Sequence, residues 1–256
     1  MLIVRFAQGD VVKYGIVEGS NIRGLKYSPF SSLGSTFEAD ESNYRLEEVR
    51  LLVPCLPSKL IAIGLNYKAH ITERNYEAPK SPRIFLKPPS ALIALDEQIV
   101  LRSDGRTDHE AELAIVIGRI AKDVTEAEAK NYVLGYTCFN DVSERVMQAA
   151  DGQLGRAKGF DTFAPMGPWI ATGIDGDNLK IEALVNGEVK QSSNTSLLIF
   201  SVSFLVSFIS HIMTLLPGDI IATGTPEGAS PLNHGDTVDI RIEGIGTLRN
   251  YVIKRK

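Results

Sequence analysis

Arg106-Thr-Asp-His-Glu-Ala-Glu-Leu-Ala-Ile-Val-Ile-Gly118 runs three acidic residues and a histidine straight into an apolar segment of period two. On a β-strand, alternate side chains share a face. Glu110, Glu112, Ala114 and Val116 then point one way, and Ala111, Leu113, Ile115 and Ile117 form a core face. The two carboxylates on the first face stand roughly 6.5–7 Å apart along the strand. Such a pair suits a hard divalent cation if a third oxygen ligand arrives from elsewhere. Taken alone, Glu-x-Glu on a strand is more commonly two solvated glutamates, so the rest of the chain must supply the difference.

Composition narrows the classes. A chain of 256 residues can bury one large core with a small accessory unit. The net charge is −4, and the one basic run is the terminal Lys254-Arg-Lys256, so nucleic-acid binding has no electrostatic footprint. The opening Met1-Leu-Ile-Val-Arg-Phe6 is too short and too soon interrupted for a signal peptide. Cys55 and Cys138 are isolated, without a disulfide framework, and point with the N-terminus to a reduced, cytoplasmic compartment. Leu197 to Leu216 is apolar enough to suggest a bilayer span. Ser196, Ser203, Ser207, Ser210 and Thr214, however, fall on one helical stripe, which predicts a buried helix over 196–214 of a soluble protein.

The remaining chain reads as β-rich. Turn residues punctuate β-type runs over 1–30, a Ser/Gly-rich loop is expected over 31–43, and a short charged helix over 44–50. Val53-Pro-Cys-Leu-Pro57 is extended by its prolines and places a boundary near residue 55. The expected organisation is a small β-rich N-terminal unit over 1–55 and a larger domain over 56–256. Strands are expected at Lys59–Gly64, Ala91–Leu101, Val133–Phe139, Trp169–Thr172 and Asp219–Thr223, with a hairpin about Asn186-Gly187 and a final pair over 236–255. Thr125-Glu-Ala-Glu128 matches a capping box opening a short helix. The fold class is α+β with few helices, not an alternating βαβ array.

Chemistry can sit at four places. Asp141 follows an apolar strand and could be either a third carboxylate ligand or a helix N-cap. With Glu110 and Glu112 it would make a carboxylate set for Mg²⁺ or Mn²⁺ rather than zinc. His70 and Glu73 stand at i, i+3, side by side on a helical turn, either as a water-activating base with its orienting carboxylate or as a surface pair. Lys158, in the loop Arg156-Ala-Lys-Gly-Phe-Asp-Thr162, could meet a substrate carboxylate, although an exposed lysine is commoner. Gly224-Thr225-Pro226 offers close backbone approach to a ligand, or a plain turn. His109 could orient the strand or a ligand, and His211 reads as a hydrogen-bonded core histidine.

In order, these signals resemble the fumarylacetoacetate hydrolase family. The resemblance rests on Ile63-Gly-Leu-Asn-Tyr67 with His70 and Glu73, Lys87-Pro-Pro-Ser90, His109-Glu-Ala-Glu112, Gly135-Tyr-Thr137, Asn140-Asp-Val-Ser143, Arg156-to-Thr162, Val185-Asn-Gly-Glu188, Pro217-Gly-Asp219 and Thr223-Gly-Thr-Pro226. It covers residue 59 to the C-terminus, and the first fifty-odd residues look like the small N-terminal domain of prokaryotic members. The resemblance implies a mixed β-roll of mostly antiparallel sheets and a homodimer. It implies Mg²⁺, or Mn²⁺ or Ca²⁺ in its place, on Glu110, Glu112 and Asp141. It implies Lys158 against the bound substrate, Arg145 and Gln148 near its oxygens, Gly224 and Thr225 at its carboxylate, and a lid over residues 66–82 carrying His70 and Glu73. Leu65 replaces the arginine of some members, and Gly159 follows the lysine where serine is frequent.

The family's reactions share a 2-oxo acid chelated to a cation, with a metal-bound enolate formed as a bond to C3 breaks or shifts. The His70/Glu73 pair favours hydrolysis, because isomerisation needs no activated water. The expected activity is a metal-dependent hydrolase cleaving the C–C bond of acylpyruvates and related 2,4-dioxo acids. The alternatives are isomerisation of a hydroxydienedioate, decarboxylation of oxaloacetate, and non-catalytic binding of a small molecule.

Overall fold

A computed structural model describes residues 1–31, 37–102 and 104–255. The Ala111–Ile117 strand lies near the middle of the larger sheet, and all seven of its residues are buried. Alternation puts Ala111, Leu113, Ile115 and Ile117 into one apolar core, while Ala114 and Val116 enter a second core on the opposite face. A strand buried on both sides has no solvated face, which settles how Glu112 must be accommodated. The strand pairs antiparallel with Val133–Asn140, where Glu112 faces Phe139, and with Ile220–Ala222.

The larger sheet extends outward from that strand in both directions. On one side Ile220–Ala222 runs parallel to Leu60–Gly64, which pairs with Arg83–Lys87. On the other, Val133–Asn140 pairs with Ala164–Ala171, which carries Leu2–Gln8 at its far edge. The N-terminal strands Leu2–Gln8, Val11–Glu18, Asn21–Leu25 and Ala39–Arg45 continue the same sheet as an antiparallel meander. A second sheet of five strands, Gln98–Leu101, Lys180–Val185, Glu188–Asn194, Thr237–Ile242 and Gly246–Lys254, covers the first. Most pairings are antiparallel, so the chain is a β-rich α+β fold, as its punctuation predicts.

Several local expectations change. Residues 32–36 of the expected 31–43 loop, and Lys256 of the basic terminus, lie outside the described residues. Residues 39–45 form a strand, and the charged segment after it makes only the 3₁₀ turn Leu46–Glu48. The Ala91–Leu101 run is broken: Leu92–Ile93 and Gln98–Leu101 are separate strands joining different sheets, with Asp96 at φ 63° between them. The capping box does not form. The Glu128 N–H donates to the Thr125 backbone carbonyl at 3.1 Å, so the Thr125 hydroxyl donates to the Glu128 carboxylate at 2.6 Å. Only the 3₁₀ turn Ala129–Tyr132 follows.

Among the described residues, four short α-helices complete the fold: α1, Lys68–Glu73; α2, Arg145–Asp151; α3, Gly155–Lys158; and α4, Val202–Ile212. The expected helix over 196–214 is therefore shorter. Ser201, which falls off the polar stripe, caps α4 by accepting from the Phe204 N–H at 3.2 Å. The stripe itself binds protein rather than water: Ser207 Oγ donates to the Val124 carbonyl at 2.7 Å, and the Val124 N–H donates to Ser210 Oγ at 2.9 Å. His211 is exposed, not a core residue, and its Nδ1 lies 2.8 Å from the Ser207 carbonyl. No helix among the described residues is long and apolar enough to cross a membrane. Cys55 and Cys138 are both free and buried.

One buried carboxylate ties the strands behind the site together. Asp219 accepts from the backbone N–H groups of Ser58 and Leu216 at 3.0 and 2.7 Å and pairs with the Lys59 ammonium. This clamp sets Leu60–Gly64 alongside Ile220–Ala222. The loops that follow these two strands, at Leu65–Tyr67 and Thr223–Thr225, then meet over Glu112.

Candidate metal centre and catalytic pocket

Glu110 and Glu112, which strand spacing puts on one face, are joined in space by Asp141. One carboxylate oxygen from each lies within 4.8 Å of the others, and all three residues are buried. Glu110 immediately precedes the central strand and Glu112 is its second residue. Asp141 stands one residue beyond the partner strand, and its N–H donates to the Glu110 carbonyl at 2.9 Å. The open question over Asp141 resolves against a cap: α2 begins four residues later and its N-cap is Glu144.

Cations surround the triad. The Lys158 ammonium donates to Glu110 Oε2 at 2.7 Å and also pairs with Asp141 Oδ2. Lys87, fully buried, donates to Asp141 Oδ1 at 2.5 Å and to the Val142 carbonyl at 3.3 Å. Arg145 donates to Glu110 Oε1 at 2.6 Å and to Asp108 Oδ2 at 2.8 Å. Lys158 sits at the end of α3 rather than in a loop, and is buried rather than exposed. An added Cβ on Gly159 would lie 2.4 Å from the Gly155 carbonyl oxygen, so the tight exit from α3 leaves no room for a side chain unless the backbone shifts.

The three carboxylates are electrostatically unequal. Burial opposes ionisation of Glu110, but the Lys158 and Arg145 cations outweigh it and hold the carboxyl below its usual range. Among the described residues, no cation pairs with Glu112. Burial pushes its carboxyl well up, and the charges of Asp141 and Glu110 add to this. Among the described residues, its side chain is hydrogen-bonded by the Gly224 N–H alone, at 2.9 Å. Gly224 takes φ +97°, and a Cβ there would lie 2.8 Å from the Asn66 Cβ, so this position requires glycine. A divalent cation fits this donor set: three buried hard oxygen donors converge, and the least compensated of them lacks only a positive partner.

His70 and Glu73 lie on α1, with His70 Nδ1 3.4 Å from Glu73 Oε2. The two are close but not hydrogen-bonded, and the buried His70 Nδ1 has no hydrogen-bond partner among the described residues. Burial pushes the His70 pKa down, which keeps the imidazole neutral and able to accept a proton at pH 7. Glu73 also accepts from the Gly228 N–H at 3.0 Å, joining α1 to the loop that carries Thr225. The segment over 66–82 starts at a buried anchor: Asn66 donates to the Phe200 and Thr223 carbonyls at 3.1 and 2.8 Å.

A cavity of about 580 Å³ opens onto these groups, lined by His70, Glu110, Glu112, Arg145, Gln148, Lys158 and Thr225 among others. Gln148 accepts from Arg145 at 2.9 Å. Thr225 Oγ1 accepts from Gln191 Nε2 at 2.8 Å, which leaves its own proton free to donate into the cavity. Gly224 is not a wall of the cavity; its role is the bond to Glu112. His109 is buried with Nε2 2.9 Å from Ser230 Oγ, so it fixes the strand's entry rather than contacting the cavity. Two contributors escape sequence reasoning. Lys87 lies in a quoted motif but carries no spacing signal, and Asp108, which holds Arg145, looks like any polar residue before a strand.

The family model described as fumarylacetoacetate (FAA) hydrolase C-terminal matches residues 59–253, and one described as Rv2993c-like, N-terminal matches residues 1–54. Protein Rv2993c of Mycobacterium tuberculosis is 46% identical over 266 residues, covering 100% of this chain and 99% of its own length. The 2,4-didehydro-3-deoxy-L-rhamnonate hydrolase of Sphingomonas sp. (strain SKA58) is 38% identical over 273 residues, covering 98% of this chain and 96% of its own. The X-ray structure of 5-carboxymethyl-2-hydroxymuconate delta-isomerase from Mycobacterium smegmatis matches with a TM-score of 0.93 at 46% identity, covering 100% of both chains. Matched by sequence over its larger part and by structure throughout, the chain belongs to the fumarylacetoacetate hydrolase family.

Proposed function

We propose that the chain is a divalent-metal-dependent hydrolase that cleaves the C–C bond of acylpyruvate-type 2,4-dioxo acids. The observation that carries this reading is the buried, neutral His70, paired with Glu73, on the wall of the cavity that also holds the acidic triad. Glu110, Glu112 and Asp141 would hold the cation, with Mg²⁺ or Mn²⁺ favoured over Ca²⁺ by the small number of protein oxygens. When bound, the cation supplies Lewis-acid polarisation of the substrate's carboxylate and C2 oxygen.

The protein groups then divide the work. Thr225 donates its free hydroxyl proton to the substrate carboxylate. Lys158 keeps a positive charge beside the C2 oxygen while orienting Glu110 and Asp141. Arg145, braced by Asp108, and Gln148 meet the remaining oxygens. His70 takes a proton from water, and the hydroxide adds to the C4 carbonyl. The C3–C4 bond breaks, its electron pair stays on C3, and C3 takes up the proton. The products are a carboxylate and pyruvate.

Isomerisation of a hydroxydienedioate is the second reading, favoured by the name of the Mycobacterium smegmatis relative. Assaying acylpyruvates, oxaloacetate and a hydroxyheptadienedioate with Mg²⁺ separates the two. Acylpyruvate cleavage that falls about 1000-fold in His70→Ala supports the hydrolase. Fast isomerisation without any cleavage would replace it with the isomerase, and decarboxylation spared by His70→Ala would show that the histidine serves water activation alone.

A further inference from the structure

Gln191 lies on Glu188–Asn194, the edge strand of the second sheet, and is buried while the rest of that strand is exposed or half-buried. A bulge sets it there. Ala183 faces Gln191 and the next residue, Leu184, faces Val189, so Lys190 is an extra residue on the edge strand. The 224–228 loop packs directly on the bulge: a Cβ on Gly228, at φ +88°, would lie 2.1 Å from the Lys190 carbonyl oxygen.

The Gln191 amide uses both its ends. Oε1 accepts from the Ala111 N–H at 2.9 Å, and Nε2 donates to Thr225 Oγ1 and to the Pro226 carbonyl, each at 2.8 Å. These partners fix its orientation. The Ala111 N–H can only donate and the Pro226 carbonyl can only accept, so the NH₂ group must face the loop. Thr225 Oγ1 is therefore an acceptor toward Gln191, and its one proton has to point elsewhere. Thr225 lines the cavity, whereas Gln191 stands behind it. The same amide grips the central strand at Ala111, between Glu110 and Glu112. One side chain from the second sheet thus sets the Thr225 loop against the strand that carries the two glutamates.

We propose that Gln191 is the positioning residue for substrate recognition by Thr225: it holds the hydroxyl at the cavity wall with its proton turned toward the carboxylate of a 2-oxo acid. This rests on the placement of Thr225 at that carboxylate in the reading above. Accepting from Gln191 also polarises the hydroxyl, which strengthens it as a donor. Gln191 acts on the ligand through Thr225, so the two residues form one unit in binding.

Calorimetry with 2-oxobutyrate, a 2-oxo acid with no 4-carbonyl to cleave, tests this in the presence of Mg²⁺. Gln191→Met and Thr225→Val should each weaken binding about tenfold, as for the loss of one hydrogen bond to a charged group. The double variant should bind no more weakly than either single one, since both remove the same bond. Mn²⁺ affinity measured without the acid should stay within about twofold of the wild type in Gln191→Met. In steady state each single variant should raise KM for acylpyruvates about tenfold with kcat little changed. Losses that add to about a hundredfold in the double variant, wild-type affinity in Gln191→Met, or no binding of 2-oxobutyrate by the wild type would overturn the proposal. A parallel loss of Mn²⁺ affinity would overturn it too, by showing that the amide merely braces the central strand. The expected cycle of affinities with no acylpyruvate cleaved would uphold Gln191 and reject only the hydrolase reading. Circular dichroism checks each fold; should Gln191→Met fail to fold, Gln191→Asn, one methylene too short to reach both partners, takes its place in the cycle.

Discussion

Glu112 is the residue on which the site turns. It is 1% exposed, flanked by two other carboxylates, and held by a single backbone N–H. An uncompensated buried carboxylate is costly, and such an arrangement persists where a cation relieves it. Glu112→Ala should weaken Mn²⁺ or Mg²⁺ binding by about 100-fold or more, since loss even of groups outside the ligand set commonly costs 10–100-fold. Calorimetric titration checks this, and equal metal affinity in the two proteins would remove Glu112 from the ligand set. Lys87 and Lys158 act on the same triad from two sides, each taking a different oxygen of Asp141. Their charges make three adjacent carboxylates tolerable, which is why two lysines are as deeply buried as the acids they serve.

At the scale of elements, the second sheet has a polar fastening suited to a pH test. Asp239, on the Thr237–Ile242 strand, receives the Arg249 guanidinium through two bonds of 2.7 Å from the directly opposed residue of the next strand. These bonds hold the Asp239 carboxyl below its usual range. The folded-state pKa is thus lower than the unfolded one, so the stabilisation is complete above the unfolded value near 3.9 and is lost as pH falls through the folded value. Asp239→Asn should cost about 1–2 kcal/mol at pH 7, discounted for the half-exposed arginine, and less as the pH drops below 4. Urea unfolding at pH 7 and pH 3 measures the gap, and a gap that widens in acid would contradict the ion-pair account. The hairpin at Asn186-Gly187 shows the opposite situation, where local chemistry suffices. Its two turn residues take φ 53° and 82°, as the Asn-Gly pair predicts, and the strands pair directly from Val185 opposite Glu188, with a register shift between Ala183 and Leu184.

At the scale of the whole molecule, the triad connects loops and strands distant in sequence, so metal binding should stabilise the fold by mass action. At a concentration 100 times Kd the gain is about 2.7 kcal/mol, which for a chain of this size raises Tm by roughly 5–10 °C. Thermal unfolding with Mg²⁺ or Mn²⁺, and after EDTA, reads this directly. An unchanged Tm with either ion, and full activity in EDTA, would eliminate the metal site.

The sequence by itself determined the fold class, the central strand and the identities of the acidic residues. Period-two alternation, turn chemistry and ordered motifs are local signals, and each survives as a strand, a turn or a neighbouring pair. Tertiary structure alone decided what those residues do. Spacing gave Asp141 two roles, and only the seating of α2 on Glu144 removed the cap. Spacing made Lys158 a surface residue, and only the approach of α3 to the triad buried it. Lys87 and Asp108 carry no periodic or capping signature, because their importance lies in partners 54 and 37 residues away. The helix is shorter than its 196–214 spacing implies, Val202–Ile212: Ser207 and Ser210 repeat with helical spacing, yet their hydroxyls are bound to Val124 across the fold. Electrostatic compensation and burial depend on distance in space, which periodicity along the chain does not encode.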